Sequence, residues 1–204
     1  MKNICNFIQE GLKISSKTKV NEKYHPKTNE ELENILKQII KEHGNESDLS
    51  DIDVSEIKDF SYLFSEDLRN FNGDLSKWDV SNAEDMSNMF YNSKFTGEHG
   101  DISNWDVSNV VYMYGMFKNS KYVGDISKWN VSKVEDMQDM FSYAAFDGDI
   151  SDWDVSNVKN MDSMFCYSNF KGDLSKWDPK NLRSQNLIFY KTPLQKNPPK
   201  WFTR

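Results

Sequence analysis

Histidine and cysteine are scarce in this 204-residue chain, which has three of the first and two of the second. The histidines, His25, His43 and His99, stand far apart, and none sits in an HxxxH or related metal spacing. No glycine-rich phosphate loop and no Gly-x-Ser-x-Gly elbow occurs. These absences predict a protein that is not an enzyme, with no catalytic residue, no metal and no cofactor. Cys5 and Cys166 are too few and too distant for a disulfide framework, so they read as free, inert thiols of a reducing compartment. Long hydrophobic runs are missing as well. The first residues, MKNICNFIQEGLKISSKTK, are interrupted by polar side chains every few positions, unlike a signal peptide or a membrane span. The expected location is cytoplasmic or virion-associated, with no membrane contact.

Positive charge is thin across the middle of the chain. Residues 47–178 carry 11 Lys/Arg against 25 Asp/Glu, a net of −14, whereas residues 179–204 carry six Lys/Arg and no Asp/Glu. An acidic body lacks the clustered cations that phosphate backbones require, and the basic tail is short and broken by proline. No nucleic acid partner is expected.

What the chain has instead is repetition. GDLSKWDVSNAEDMSNMFYNSKFT starts at Gly73, and close copies start at Gly100, Gly124 and Gly148. A weaker unit begins near Asp48, with Ile52 for Trp, Phe60 for the first Met and Leu63-Phe64 for Met-Phe. A sixth begins at Gly172, where Pro179 replaces Val and the second half is diluted to Leu182, Gln185 and Ile188-Phe189. The period is 24 from Gly100 onward. It is 27 between Gly73 and Gly100, where Gly97-Glu98-His99 is inserted, and the first unit carries extra residues around Asp67–Phe71. Such a period fixes the architecture before any local reading is made.

Within a unit, Gly124-Asp-Ile-Ser-Lys-Trp129 reads as a parallel strand of three to five residues. Ser132 with Glu135, and Ser81 with Glu84, read as capping boxes. Val134, Met137, Met140 and Phe141 then follow at helical spacing. The prediction is an α/β repeat solenoid of about six units, each with one short parallel strand and one short helix. No unit can bury its Trp, Met and Phe alone, so the copies must stack. Trp78, Trp105, Trp129, Trp153 and Trp177 form one buried column, and Phe90, Phe117, Phe141 and Phe165 another. Ahead of the repeats, residues 2–14 show an apolar stripe (Ile4, Phe7, Ile8, Leu12). A better signalled helix follows Pro26, capped by Thr28 or Asn29, striped by Leu32, Ile35, Leu36, Ile39 and Ile40, and stopped by Gly44. It reads as an N-terminal helical cap, or else as a docking face. The chain thus divides into a leader over 1–46, repeats over 47–190 and a basic tail over 191–204.

The repeated motif is Gly-Asp-Ile/Leu-Ser-x-Trp-Asp/Asn-Val-Ser-x-Ala/Val-x-x-Met-x-x-Met-Phe, and it covers about 70% of the chain. It resembles the repeats of BspA-like leucine-rich-repeat surface proteins and of mycoplasma lipoproteins. That resemblance implies a leucine-rich-repeat-like solenoid with a binding role, typically adhesion to host proteins. The leader is similar, more weakly, to those on such repeats encoded by gut-bacterial phages. The adhesin's secretion signal and lipobox have no counterpart in this sequence.

Two columns are candidate partner-binding positions. Asp74, Asp101, Asp125, Asp149 and Asp173 place like charges one unit apart. Either each carboxylate caps backbone N–H groups at a turn, or the row binds a cation. Lys77, Asn104, Lys128, Asp152 and Lys176 precede the tryptophans and vary between copies. They are solvated strand positions or a recognition strip on a concave face. Ser87, Tyr114, Gln138 and Asp162 offer a competing convex surface. The functional expectation is a monomeric module binding a protein partner through its concave strand face. The alternatives are a structural component of a phage particle and a bacterial surface adhesin.

Overall fold

A computed structural model describes residues 24–202. Helix α1, Asn29–His43, lies where the sequence places it. Thr28 Oγ1 accepts the Glu31 N–H at 3.2 Å, and Glu30 and Glu31 sit in the first turn, favourably to the helix dipole. Gly44 ends it at φ 92°, its N–H closing on Ile40 O at 2.8 Å. Leu32 and Leu36 are wholly buried, while Ile35, Ile39 and Ile40 pack against the core. Asn29 Nδ2 donates to Ser61 O, and Lys37 pairs with Asp67, which fixes α1 against the first unit. The helix expected over residues 2–14 lies outside the described residues, as does Cys5.

The repeats stack, but not as expected. Among the described residues there is one α-helix, no strand and no sheet, and the parallel pairing consists of isolated bridges. This corrects the α/β repeat solenoid and its leucine-rich-repeat-like unit. Among the described residues no copy contains a strand or an α-helix; the copies are built from turns, with one short 3-10 helix, Glu66–Leu68, in the first.

The physical reason lies in local hydrogen bonding. In the segment predicted as a strand, the N–H of Trp129 closes back on Ile126 O at 3.2 Å, and Trp78, Trp105, Trp153 and Trp177 do the same three residues back. The preceding Asp side chain accepts the N–H of the Ser two residues on, as in Asp125 to Ser127 at 2.8 Å. Asp-x-Ser is an Asx turn, a local bond that competes with extended structure. The segment predicted as a helix is interrupted by left-handed residues. Asn88 and Asn92 in one copy, Gly115 and Asn119 in the next, Asp139 and Tyr143, then Ser163 and Tyr167, all have φ between 55° and 60°. An α-helix cannot pass through such residues, so Met-x-x-Met-Phe becomes consecutive three-residue turns. The capping boxes are absent too: Glu135 N donates to Val111 O of the preceding copy, not to Ser132.

The left-handed residues of the interior copies turn their N–H groups toward the next copy. Met137, Asp139, Phe141 and Tyr143 donate to Asn160, Asp162, Met164 and Cys166 carbonyls at 2.8–3.0 Å, and neighbouring copies repeat the set. One bridge per junction marks this ladder: Asp59 to Asp85, Tyr112, Asp136, Asn160 and Ser184 in turn.

The core is a set of columns. Successive tryptophans stack 6.3–6.5 Å apart near the start, for example Trp78 on Trp105 and Trp105 on Trp129. Each donates Nε1–H to the Ile or Leu carbonyl of the copy before, as Trp153 does to Ile126 O at 3.1 Å. A buried indole N–H thus finds its acceptor while the ring buries its area. Both Met columns and the Phe column, Phe64 through Phe165, are buried. A further aromatic column, Phe71, Phe95, Tyr122, Phe146 and Phe170, stacks beside them. It explains most of the glycines that open the copies: a Cβ on Gly148 would stand 2.8 Å from the Phe146 ring, and one on Gly124 would stand 2.6 Å from the Tyr122 hydroxyl, whereas one on Gly100 would meet Gly73 O at 2.6 Å. The tryptophan column does not stop at the sixth copy. Trp201 stacks on Trp177 at 6.0 Å and donates to Leu174 O at 2.8 Å.

Candidate interaction surface

The Asp column belongs to the turns. Asp74, Asp101, Asp125, Asp149 and Asp173 accept the N–H groups of Ser76, Ser103, Ser127, Ser151 and Ser175 at 2.8–2.9 Å. The bonds from Ser127, Ser151 and Ser175 hold Asp125, Asp149 and Asp173 below the ordinary carboxylate value, because they favour the charged form. Two more columns of the same kind escaped sequence reading. Asp79, Asp106, Asn130 and Asp154 accept from Ser81, Ser108, Ser132 and Ser156. Asp85, Asp136 and Asn160 accept from Ser87, Gln138 and Asp162. The recurrent Asx-x-Ser pattern was the available signal for the first of these columns, and the recurrent Asp or Asn before Met for the second. Among the described residues, no group of three or more His, Cys, Asp or Glu is arranged to hold a metal ion.

The residues before each Trp follow these Asx turns, at the third position of the turn that closes the Trp N–H on the Ile or Leu carbonyl, and are exposed to solvent. Lys77 Nζ reaches Ser50 Oγ at 3.2 Å, and Lys176 pairs with Asp152 at 2.6 Å across one junction. Asn104 and Lys128 are exposed at equivalent positions. Both columns are therefore turn surfaces, and no strand face carries them. Gln138 and Asp162, at the proposed competing surface, are half-buried and stitch neighbouring copies, Gln138 Oε1 to Asn160 and Asp162 to Ser184. Cys166 is a free, buried thiol, and burial pushes it above its ordinary value.

The ladder positions supply a surface that sequence reading missed. Tyr143 and Tyr167 are exposed at 54% and 45%, far more than their neighbours, and stack face to face at 4.7 Å. Tyr190 meets Tyr167 edge-on at 5.4 Å, with Lys191 Nζ 5.7 Å above its ring. The contact with Tyr190 also holds the Tyr167 hydroxyl above the ordinary phenol value. Tyr143 and Tyr167 are each the second left-handed residue of their copy, so the ladder turn itself pushes the rings outward. Two tyrosines 24 apart were legible in the sequence, but a helix would not have held them at a uniform register on the surface.

No described helix is long and apolar enough to cross a membrane. No curated protein and no solved structure matches the chain. The mycoplasma part of the resemblance stands, without the BspA-like name. Family-level similarity extends over residues 19–119 and again over 95–201, spanning the helix and every copy, and on that coverage the chain belongs to the family described as Mycoplasma protein of unknown function, DUF285.

Proposed function

We propose that this chain is a non-enzymatic protein-interaction module whose partner docks on the tyrosine strip. The observation that carries the reading is the exposed stack of Tyr143 on Tyr167, with half-buried Tyr190 edge-on beside it. Tyrosine brings a large, rigid, amphipathic contact area, and interface cores are enriched in it. A stacked pair is already ordered, which lowers the entropy lost on docking. The surrounding chemistry supports the same reading. The Asp and Ser side chains that repeat are spent on turns, and the repeated apolar side chains are spent on the core. Specificity is left to exposed positions that differ between copies. With no strand in the unit, the partner surface moves from a strand face to the ladder. The BspA-like character of the motif points toward binding as well.

A photo-crosslinking side chain placed at position 167 is expected to capture a discrete partner from source cells, and one at position 152 is not. A Tyr143→Ser/Tyr167→Ser variant should lose that partner with an unchanged melting temperature. Equal capture from both positions, or full binding by the double variant, would overturn the reading.

A further inference from the structure

Inside the stack, the N–H groups of Met161, Ser163, Phe165 and Tyr167 donate to the carbonyls of Ser184, Asn186, Ile188 and Tyr190. One copy later the matching donors belong to Gln185, Leu187, Phe189 and Lys191. The Lys191 N–H is taken by Gln195 Oε1 at 2.9 Å, a side-chain amide standing where a carbonyl of a following copy would be. Among the described residues the Leu187 and Phe189 N–H groups have no acceptor. Leu187 is left-handed, at φ 57°, like its counterparts that do bond, and it is 60% exposed. These two donors open on a surface cleft. Leu187, Ile188, Phe189 and Tyr190 form one wall, and Gln195, Lys196, Pro198 and Phe202 line the other.

The opposite end offers no such edge. There α1 lies on the first copy, with Leu32 and Leu36 buried and Asn29 Nδ2 on Ser61 O. A second copy of the chain would need that face, so it is a poor occupant of the cleft. The charge around the cleft is also unlike the rest. The last 26 residues hold six cations and no carboxylate. The nearest copy's Asp162 is already taken by Ser184 Oγ and Asn186 Nδ2.

We propose that this edge receives an extended acidic segment of a partner protein. Its carbonyls take the Leu187 and Phe189 amides, its alternate apolar side chains enter the cleft, and its carboxylates face Lys191 and Lys196. An extended chain presents a carbonyl to the same side every second residue, which is the spacing of the two free donors. The inference rests on the protein-binding reading, names the partner's chemistry and uses a cleft that adjoins the tyrosine strip at Tyr190.

The test is a titration of the isotope-labelled full chain with a capped peptide of five Asp-Val pairs, followed by amide shifts and hydrogen exchange. Saturable binding with slowed exchange at Leu187 and Phe189 supports the proposal. A Lys191→Glu/Lys196→Glu variant should melt normally yet bind at least about tenfold more weakly, since it sets like charges against each other. Binding should also weaken as salt is raised. The proposal is overturned by no binding at millimolar peptide, by binding that leaves both amides unprotected, or by equal binding of a Lys-Val peptide. Protection of the two amides by concentration-dependent self-association would overturn it in favour of a second copy. The Tyr143→Ser/Tyr167→Ser variant should bind the peptide fully. Failure of the peptide therefore leaves the tyrosine-strip reading to its own crosslinking result.

Discussion

The two ends of the stack face the same problem and solve it differently. At the first copy, a capped fifteen-residue helix lays two buried leucines and three partly buried isoleucines over the core. At the last, an irregular segment supplies one tryptophan, one glutamine amide and a half-buried Phe202, which packs edge-on to Phe189 at 5.4 Å. The first end is closed by apolar area, whereas the second is closed largely by imitation of the missing neighbour. A repeat stack needs both ends covered, because each copy contributes only half of every contact. The difference teaches that the second end is the weaker, and the more available to another molecule.

That contrast can be broken by mutation, with the interior as reference. Trp153→Ala removes a buried ring that packs at a tilt on Phe141, 6.3 Å away, and a buried hydrogen bond. It should cost about 3–5 kcal/mol, read from chemical denaturation. Leu36→Ala at the helical end should cost about 2–5 kcal/mol. Trp201→Ala takes away a half-buried ring stacked on Trp177, and about 1–2 kcal/mol is expected. If Trp201→Ala proves as damaging as Leu36→Ala, the two ends are equally firm and the comparison fails.

The smallest effect expected is on acid stability, and it should not distinguish the ends. Asp48 in the first copy and Asp173 in the last are both held below their ordinary value of 3.8 by bonds from Ser50 and Ser175. Interior Asp106 and Asp154 are held down likewise by Ser108 and Ser156. A depressed folded value means that the stabilisation is complete above the ordinary value and is lost as pH falls through it and below. Melting temperature should therefore drop gradually below about pH 4, where the unfolded carboxylates protonate. Asn130 does the work of these aspartates without charge. Asp154→Asn, which keeps the bond but not the charge, should therefore lower the neutral-pH melting temperature only slightly, and Asp154→Ala should lower it further. Equal melting of the two variants would mean that the side-chain cap contributes nothing.

The sequence disclosed the stacking far better than the path of the backbone. Trp, Met and Phe recur at a constant period, and constancy alone places them in columns, whatever geometry links them. The same letters misled about secondary structure. Met-x-x-Met-Phe has helical spacing because a turn of three residues also brings every third side chain to one side. The contrary signal was written at the left-handed positions, where Asn88, Asn92, Gly115, Asn119 and Asp139 are residues that tolerate positive φ. Tyr143, Ser163 and Tyr167 in later copies hide it. The strand reading failed for a similar reason. Ile and Trp close together suggest a sheet, yet Asp two residues before each Ser folds the chain over. Trp201 was legible by counting, 24 beyond Trp177, but Lys, Pro and Thr around it obscured the copy to which it belongs. The tyrosine strip and the free edge donors could not be found from letters, because both depend on which way a turn directs its groups.

The ladder has one more consequence, for heredity. The bonds that join two copies recur at the same positions from copy to copy, so the register counts whole copies and nothing smaller. Loss or gain of a single residue inside Met-x-x-Met-Phe would shift all later donors out of line. The three added residues Gly97-Glu98-His99 lie between ladder segments, with Glu98 and His99 in solvent, and they shift nothing. A gene of this design can change its copy number, or decorate the joints, while its folding rule stays intact.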